Sequence, residues 1–388
     1  MKKRFVHICE ELEYTWLGKD NGMVPVYTHK ILGYKSEIVT CNLKEDLPDN
    51  FRGIKIIKIS RWFKNIKNFF PWVMFFKRIP LYYYILKNGK KIDVLMLFHI
   101  TKCSYWNAFF YKKINPTGKI YVKADFNLDI YNNEIRKTKM KITNLREFFR
   151  KRREIKEYRK RKELVKMIDI LSYETKEAYE AMKNKYAEVT VKGDIYHIPN
   201  GYDDLFIENN FQVKPFQEKE NIFLTVGRLG TQQKNTELLL NILEKIDLKN
   251  WKFYFIGSIE SSFQQKIDNF YNKNPEKKEN VIFTGVITDK KILYSYYNRA
   301  KVFLLSSRWE GFALVFLEAL SFDNYILSTD VGGAQDVIEN NKNGNILSNE
   351  NQMKEKIENI INNKVDITIR SNSKNYFKWS NLIKKIKL

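Results

Sequence analysis

The chain has 388 residues, of which 44% are hydrophobic, 15% aromatic and 29% charged, which excludes a lone small module and a disordered chain and predicts about two domains. Its formal net charge of +23 divides unevenly, since residues 1–200 carry 42 Lys and Arg against 22 Asp and Glu, whereas residues 201–388 carry 26 against 23. Such an excess implies a polyanionic partner of the first half, either nucleic acid or an anionic membrane. Cys9, Cys41 and Cys103 lie far apart with no CxxC pair, which argues against a disulfide framework or a zinc site and for a reducing compartment. The basic N-terminus is interrupted by Glu10, Glu11 and Glu13, too early for a signal peptide. The longest uncharged apolar run, 69–76, ends at Lys77-Arg78 and is too short to cross a bilayer. The expected location is cytoplasmic.

Short β-rich apolar runs alternate with helical patterns along both halves, the signature of stacked βαβ units around parallel sheets. Strands are predicted near 5–9, 37–41, 54–59, 94–99, 120–124, 168–172 and 195–198, then near 222–226, 252–256, 281–284, 302–305, 325–328 and 345–347. Between the two sets, 199–220 is rich in turn formers and poor in periodicity, which predicts two doubly wound domains joined near residue 210. From 50 to 92 there is no acidic residue, and Trp62, Phe63, Ile66, Phe69, Phe70 and Val73 recur at helical spacing among the basic ones. A basic helix with an aromatic face lies in a membrane interface; a core-facing helix with a solvated back has the same pattern. The region 136–166 is a second cationic helix, with Glu147 and Glu157 spaced for i,i+4 pairs with Lys151 and Arg161. Two such regions on one domain favour an anionic membrane surface.

The segment 302–339 carries the strongest chemical signal. An apolar strand ends at Ser306-Ser307, a loop holds Arg308, Trp309 and Glu310, and a helix is expected to begin at Gly311-Phe312. The first N–H groups of such a helix lack partners and its dipole is positive there, so it can receive an anion. Glu310 and Glu318 are eight residues apart, about 12 Å along the axis if both are helical. At that separation they suit gripping separate hydroxyl groups, although an ordinary solvent-facing pair has the same spacing. In 221–243, a strand runs into Gly227-Arg228 and Lys234 stands just before an apolar helix. Arg and Lys at a strand's C-terminal end occupy the ligand edge of an α/β sheet and can neutralise phosphate; a surface pair in a connection would look alike.

Taken together, GRLGTQQKN at 227–235, EGFALVFLE at 310–318 with its E-x7-E spacing, STDVGGAQDVI at 328–338 and IPNGYD at 198–203 resemble the retaining glycosyltransferase family 4, of GT-B architecture. The motifs cover 195–347; over 1–190 the resemblance is limited to the order of elements and a glycine-bearing loop, LGKDNGMVP, after the first strand. The resemblance implies an α/β fold of two Rossmann-like doubly wound domains facing each other across a cleft. Their expected bounds are 1–205 for the basic acceptor-side domain, 206–368 for the nucleotide-sugar domain, and 369–388 for a helix crossing back to the first. It further implies that Glu318 holds the ribose hydroxyls, Arg228 and Lys234 the diphosphate, and Glu310 the transferred sugar. The backbone of Gly311, Phe312, Ala313 and Leu314 would face phosphate and sugar, with Gly227 at the strand end and the loop around Val286 at the base. Gly22 is the implied donor-loop residue of the first domain, and Asp125 stands where family members carry a polar group beside the reacting sugar, with Lys123 as its partner and His99 nearby. A strand-end Asp also serves as a helix cap or ion-pair partner, and His7, His29 and His197 read as structural. Asp323-Asn324-Tyr325 replaces the family's Gly-x-Pro turn, and Asn235 follows Lys234 where glycine is common.

The leading functional expectation is therefore a metal-independent hexosyltransferase using a nucleotide diphosphate sugar, UDP-hexose, as cosubstrate and no bound cofactor. Its acceptor would be a lipid-linked glycan in cell-surface polysaccharide synthesis, met by a peripheral protein on the inner face of the membrane. No nucleic-acid partner is expected. The alternatives are a noncatalytic GT-B-like partner subunit, which would be expected to lose Glu310 and Glu318, and a basic nucleic-acid-binding protein, which charge supports but no motif does.

Overall fold

The computed structural model describes residues 2–41, 47–59, 78–124, 145–184 and 193–388. Asp125 and the aromatic stretch 60–77 lie outside the described residues, as does the start of the second cationic region. The chain divides into two compact units, the first made of Met1–Asn200 with Trp379–Leu388 and the second of Gly201–Lys378.

In unit 1 the chain runs β1 (Arg4–Ile8), α1 (Asp20–Leu32), β2 (Lys35–Thr40), β3 (Asn50–Phe51), β4 (Ile54–Lys58), α2 (Ile79–Asn88), β5 (Val94–Phe98) and α3 (Lys102–Ile114). It continues through β6 (Lys119–Ala124), α4 (Leu145–Met167), β7 (Ile170–Tyr173), α5 (Lys176–Asn184) and β8 (Asp194–His197). Among the described residues these strands form one sheet of order β3-β4-β2-β1-β5-β6-β7-β8, parallel except for the β3–β4 pair. β3 escapes a sequence reading because two residues carry no periodicity. The order reverses between β1 and β5, the kind of point at which doubly wound sheets bind ligands beyond the strands' carboxyl ends. The C-terminal helix Trp379–Lys385 belongs to this unit and packs on α1, with the Tyr27 and Trp379 rings 6.5 Å apart.

Unit 2 contains α6 (Asp204–Asn210), β9 (Glu220–Val226), α7 (Thr236–Glu244), β10 (Lys252–Ile256), α8 (Ser261–Lys273), β11 (Val281–Gly285) and α9 (Lys290–Arg299). After these come β12 (Ala300–Leu305), α10 (Leu314–Ser321), β13 (Tyr325–Thr329), α11 (Ala334–Val337), β14 (Gly344–Leu347) and α12 (Glu350–Ile361). The six-stranded sheet has order β11-β10-β9-β12-β13-β14, and every pair is parallel. Runs such as VFLL and YIL form these strands because a parallel sheet is covered on both faces and needs apolar side chains on both. Alternate residues serve the two faces. Phe223, Phe253, Phe255, Leu304 and Leu327 pack with Leu239, Ile267 and Ile357 of α7, α8 and α12. Leu224, Ile256, Phe303, Leu305 and Ile326 pack with Tyr297, Phe316 and Ala334 of α9, α10 and α11. Each such burial contributes about 1.5–3 kcal/mol. The order reverses between β9 and β12, so the loops after these two neighbouring strands open side by side at the ligand edge.

Candidate active site

β9 delivers Gly227 and Arg228 to that edge, and β12 delivers Ser306, Ser307 and Glu310. Lys234 donates from Nζ to Glu310 Oε1 at 2.7 Å, with both side chains largely buried, 16% and 11% exposed. Ser307 Oγ donates to the same oxygen at 2.7 Å, and Gln233 Nε2 donates to Glu310 Oε2 at 3.2 Å. Gln233 in turn accepts from Arg228 Nη2 at 2.8 Å. A carboxylate has about four acceptor sites, so three of those of Glu310 are engaged within its own chain. Lys234 has three N–H donors and directs one of them to Glu310. The backbone frames this network: Arg228 O accepts from Thr231 Oγ1, and Ser306 Oγ donates to Lys234 O at 3.0 Å. Asn235, at φ 49°, adopts the left-handed turn that leads into α7.

The helix expected from Gly311 begins at Leu314, with Ala313 as its N-cap. The cause is the 331–333 loop. The Ala313 N–H donates to Gly332 O at 3.2 Å, and a Cβ on Gly332 would stand 2.0 Å from Gly311 O, so only glycine permits this approach. Glu310 is therefore four residues ahead of the helix, and the 12 Å axial separation from Glu318 does not apply. Phe312 and Ala313 are buried, and the N–H of Ala313 is engaged within the chain, whereas Leu314 supplies the first N–H of α10. Glu318, within α10, accepts from Tyr297 Oη at 2.9 Å. Burial pushes its carboxyl above the usual range, against the opposing pull of Lys290 and the tyrosine hydroxyls. Val286 follows the last residue of β11, Gly285, and is 63% exposed.

In unit 1, Gly22 is not in a loop. It lies buried in the first turn of α1, where a Cβ would meet Leu17 O at 2.1 Å, so its role there is close packing on the preceding turn, Tyr14–Gly18. Lys123 is fully buried, with Nζ 3.3 Å from Glu174 Oε1 and 3.8 Å from Asp20 Oδ2, and it donates to Ile198 O at 3.1 Å. Asn200 Nδ2 donates to the other oxygen of Glu174. Desolvation raises the Glu174 carboxyl well above its ordinary value, with Lys123 opposing the shift. Nearby His7 bridges Met96 O and Asn21 Oδ1 and is buried; desolvation lowers its pKa. His99 follows β5 at φ 59°, and its carbonyl accepts from Ser104 Oγ at 2.8 Å. His29 Nδ1 lies 2.8 Å from Tyr34 O. Sequence reasoning missed Gln233, Ser307 and the Asp20–Lys123–Glu174 cluster. Ser307 stands three residues before Glu310, close enough in the chain for its hydroxyl to reach that carboxylate locally; nothing local marks the others.

Residues 206–378 match the family model described as glycosyl transferases group 1. The chain is 28% identical over 190 residues to the capsular polysaccharide biosynthesis glycosyltransferase CapM of Staphylococcus aureus, covering 46% of this chain and 47% of that one. It is 28% identical over 168 residues to a Campylobacter jejuni α-1,4-N-acetyl-D-galactosaminyltransferase whose name specifies a PP-undecaprenol-linked glycan, covering 41% and 42%. Alignments with three other curated relatives span between 28% and 46% of those proteins' length. The fold as a whole is similar to that of Anabaena Alr3699/HepE in complex with UDP and glucose, at TM-score 0.62 and 13% identity over 99% of this chain and 98% of that one. The chain thus has the α/β two-sheet fold of its GT-B structural neighbours, and its second unit carries the match to glycosyl transferases group 1.

Proposed function

We propose that the protein is a retaining glycosyltransferase of family 4 that transfers a hexose from a UDP-sugar to a lipid-linked glycan acceptor in cell-surface polysaccharide synthesis. The observation that carries this reading is the grouping of Arg228, Lys234 and Glu310 with the N-terminus of α10 at the point where the second sheet reverses its strand order. Breaking an anomeric bond builds negative charge on the leaving diphosphate, and fixed cations beside a helix N-terminus stabilise that charge most where it grows. In this reading Arg228 and Lys234 meet the diphosphate, and the remaining acceptor site of Glu310 meets a sugar hydroxyl. The backbone of Gly227, Gly311 and Leu314 lines the phosphates, Glu318 accepts from the ribose, and the loop at Val286 lies along the base. Asp125 is the proposed polar group of the first unit. The cations take the part a divalent metal would play, so the reaction needs no metal ion.

The UDP assignment is supported by the complex in which HepE was solved, and the lipid-linked acceptor by the name of the Campylobacter relative. The charge division between the two halves of the chain supports peripheral attachment to the anionic inner face of the membrane. The test is a screen of nucleotide sugars for thermal stabilisation and slow hydrolysis. A donor at a hundred times its Kd should stabilise the fold by about 2.7 kcal/mol. If no nucleotide diphosphate sugar raises the melting temperature while duplex DNA does, the donor reading fails and the nucleic-acid alternative replaces it.

A further inference from the structure

The geometry points to a lipid-docking face on unit 1, made by the outer side of α2 and the side of α4 that carries Arg152, Ile155, Lys156 and Arg159, that seats on anionic phospholipid. This deepens the membrane attachment proposed above by giving it a surface, and it does not depend on the donor chemistry.

α2 has two apolar sides. Leu81, Tyr84 and Ile85 face the core, while Ile79, Tyr83 and Leu86 are 42%, 48% and 46% exposed. The exposed three are spaced i, i+4, i+7 and therefore fall within an arc of roughly 60°, a continuous outward stripe. Such a stripe is not what a solvated surface helix presents. Lys87, Lys90 and Lys91 follow it directly in sequence, with the Lys87 ammonium 6.0 Å from the centre of the Tyr83 ring.

Next to α2 stands α3, whose Phe110 ring is 4.9 Å from that of Tyr82. α3 presents half-buried Trp106 and Phe109 with cations over them, Lys160 at 4.0 Å and Lys113 at 4.7 Å. Aromatic rings with long cationic side chains beside them suit the headgroup level of a bilayer. α4 packs on α3 through Lys160 and through the Lys102–Glu157 pair at 3.9 Å. Away from that anchorage, Arg152, Ile155, Lys156 and Arg159 are all exposed and share one side of α4. The whole helix, 145–167, carries 11 Lys and Arg against four Glu, and Glu147 and Glu154 lie beside Arg150 at 3.7 and 4.0 Å.

Charge complementarity selects the occupant. A second copy of this chain would bring the same cations against themselves, and nucleic acid has no use for the aliphatic stripe of α2. An anionic bilayer surface engages both, the phosphates and serine carboxylates meeting α4 and the acyl boundary meeting Ile79, Tyr83 and Leu86.

The test uses the full chain and vesicles of phosphatidylserine with phosphatidylcholine, against phosphatidylcholine alone. The wild type should float with the anionic vesicles, and hydrogen exchange should slow across α2 and α4 when they are present. Arg152→Glu with Lys156→Glu and Arg159→Glu should weaken partitioning by about tenfold or more. Ile79→Ser with Tyr83→Ser and Leu86→Ser should leave a weaker binding that salt abolishes. Both variants should hydrolyse donor as the wild type does, since none of these residues belongs to the proposed donor site. Should a variant fail to fold, the exchange pattern of the wild type decides. Undiminished flotation of both variants, exchange protection elsewhere than α2 and α4, self-association through this face, or preference for duplex DNA over anionic vesicles at moderate salt would each overturn the assignment. Vesicle binding without any donor turnover upholds the face while counting against the glycosyltransferase reading.

Discussion

Replacing Lys234 by alanine separates the two jobs that the donor-site reading gives this side chain. In the structure its ammonium lies 2.7 Å from Glu310 Oε1 in a largely buried pocket. Breaking a fully buried ion pair from one side costs about 3–5 kcal/mol. Here Glu310 keeps Ser307 at 2.7 Å and Gln233 at 3.2 Å, so its charge is not orphaned, and the expected loss of stability is about 1–3 kcal/mol. For a domain of this size each kcal/mol lowers the melting temperature by about 2–4 °C, and the variant should stay folded at room temperature. The catalytic effect is separate. Losing one charge-assisted contact to the leaving diphosphate removes about 1.5–3 kcal/mol of transition-state stabilisation, a fall in kcat/KM of roughly ten- to 150-fold. Donor hydrolysis followed by release of nucleotide diphosphate measures this, and a melting curve measures the other. Combining Lys234→Ala with Glu310→Gln should give a coupling energy in stability of about 1 kcal/mol or more, because the two groups are in contact. Unaltered kcat/KM would refute the role at the diphosphate. Strict additivity of the two stability losses would refute the ion pair itself.

Two further outcomes follow from other parts of the molecule. Glu174 is buried with its carboxyl raised above its ordinary value of 4.5, so the folded state holds a proton that the unfolded chain releases. Its contribution is fully present below about 4.5 and is lost as pH rises toward the raised folded value; thermal melts of Glu174→Gln should show a flatter decline over that window, and a slope equal to the wild type's would exclude Glu174 as its source. On the proposed mechanism donor turnover should survive EDTA, since Arg228, Lys234 and the N-terminus of α10 would supply the positive charge; loss of turnover restored by Mg²⁺ or Mn²⁺ would overturn this.

The strands were legible because parallel strands covered on both faces must be continuous apolar runs, and LTV, VFLL and YIL could be little else. Helix starts were less so. Gly311-Phe312 has the composition of a helix entry, but the 331–333 loop crosses it so closely that the first helical residue moves to Leu314. That crossing depends on a glycine 21 residues away in the chain, which local pattern does not reveal. Lys123 was expected beside Asp125, its near neighbour in sequence. Asp125 lies outside the described residues; Lys123 points into the sheet's buried end, toward Asp20 and Glu174, because a fully buried ammonium needs carboxylates that only tertiary packing can deliver. The pairing of Lys234 with Glu310 was hidden for the same reason: both residues were legible as site candidates, but their contact arises only because β9 and β12, 80 residues apart from one start to the next in separate βα units, are neighbours in the sheet.

In the proposed donor site that pairing also divides the labour between the two cations. At 2.7 Å the charges of Lys234 and Glu310 largely cancel for an approaching ligand, whereas exposed Arg228 bonds a neutral amide, Gln233 Oε1 at 2.8 Å. A unit charge about 6 Å away attracts each phosphate charge by about 0.7 kcal/mol in water and about 3 kcal/mol at the effective dielectric of a protein surface. On the donor-site reading the long-range attraction for an approaching diphosphate therefore comes chiefly from Arg228. Arg228→Ala should chiefly raise KM, and the increase should shrink as salt is added, because the lost interaction is screened. Lys234→Ala should chiefly lower kcat, since its remaining N–H donors act most strongly once charge accumulates on the leaving group. Glu310→Gln should release the charge of Lys234 and so lower KM for the donor while kcat falls with the lost grip on the sugar. Initial rates for the three variants at low and high salt test the scheme, and a pure KM effect in Lys234→Ala or a salt-independent effect in Arg228→Ala would refute it.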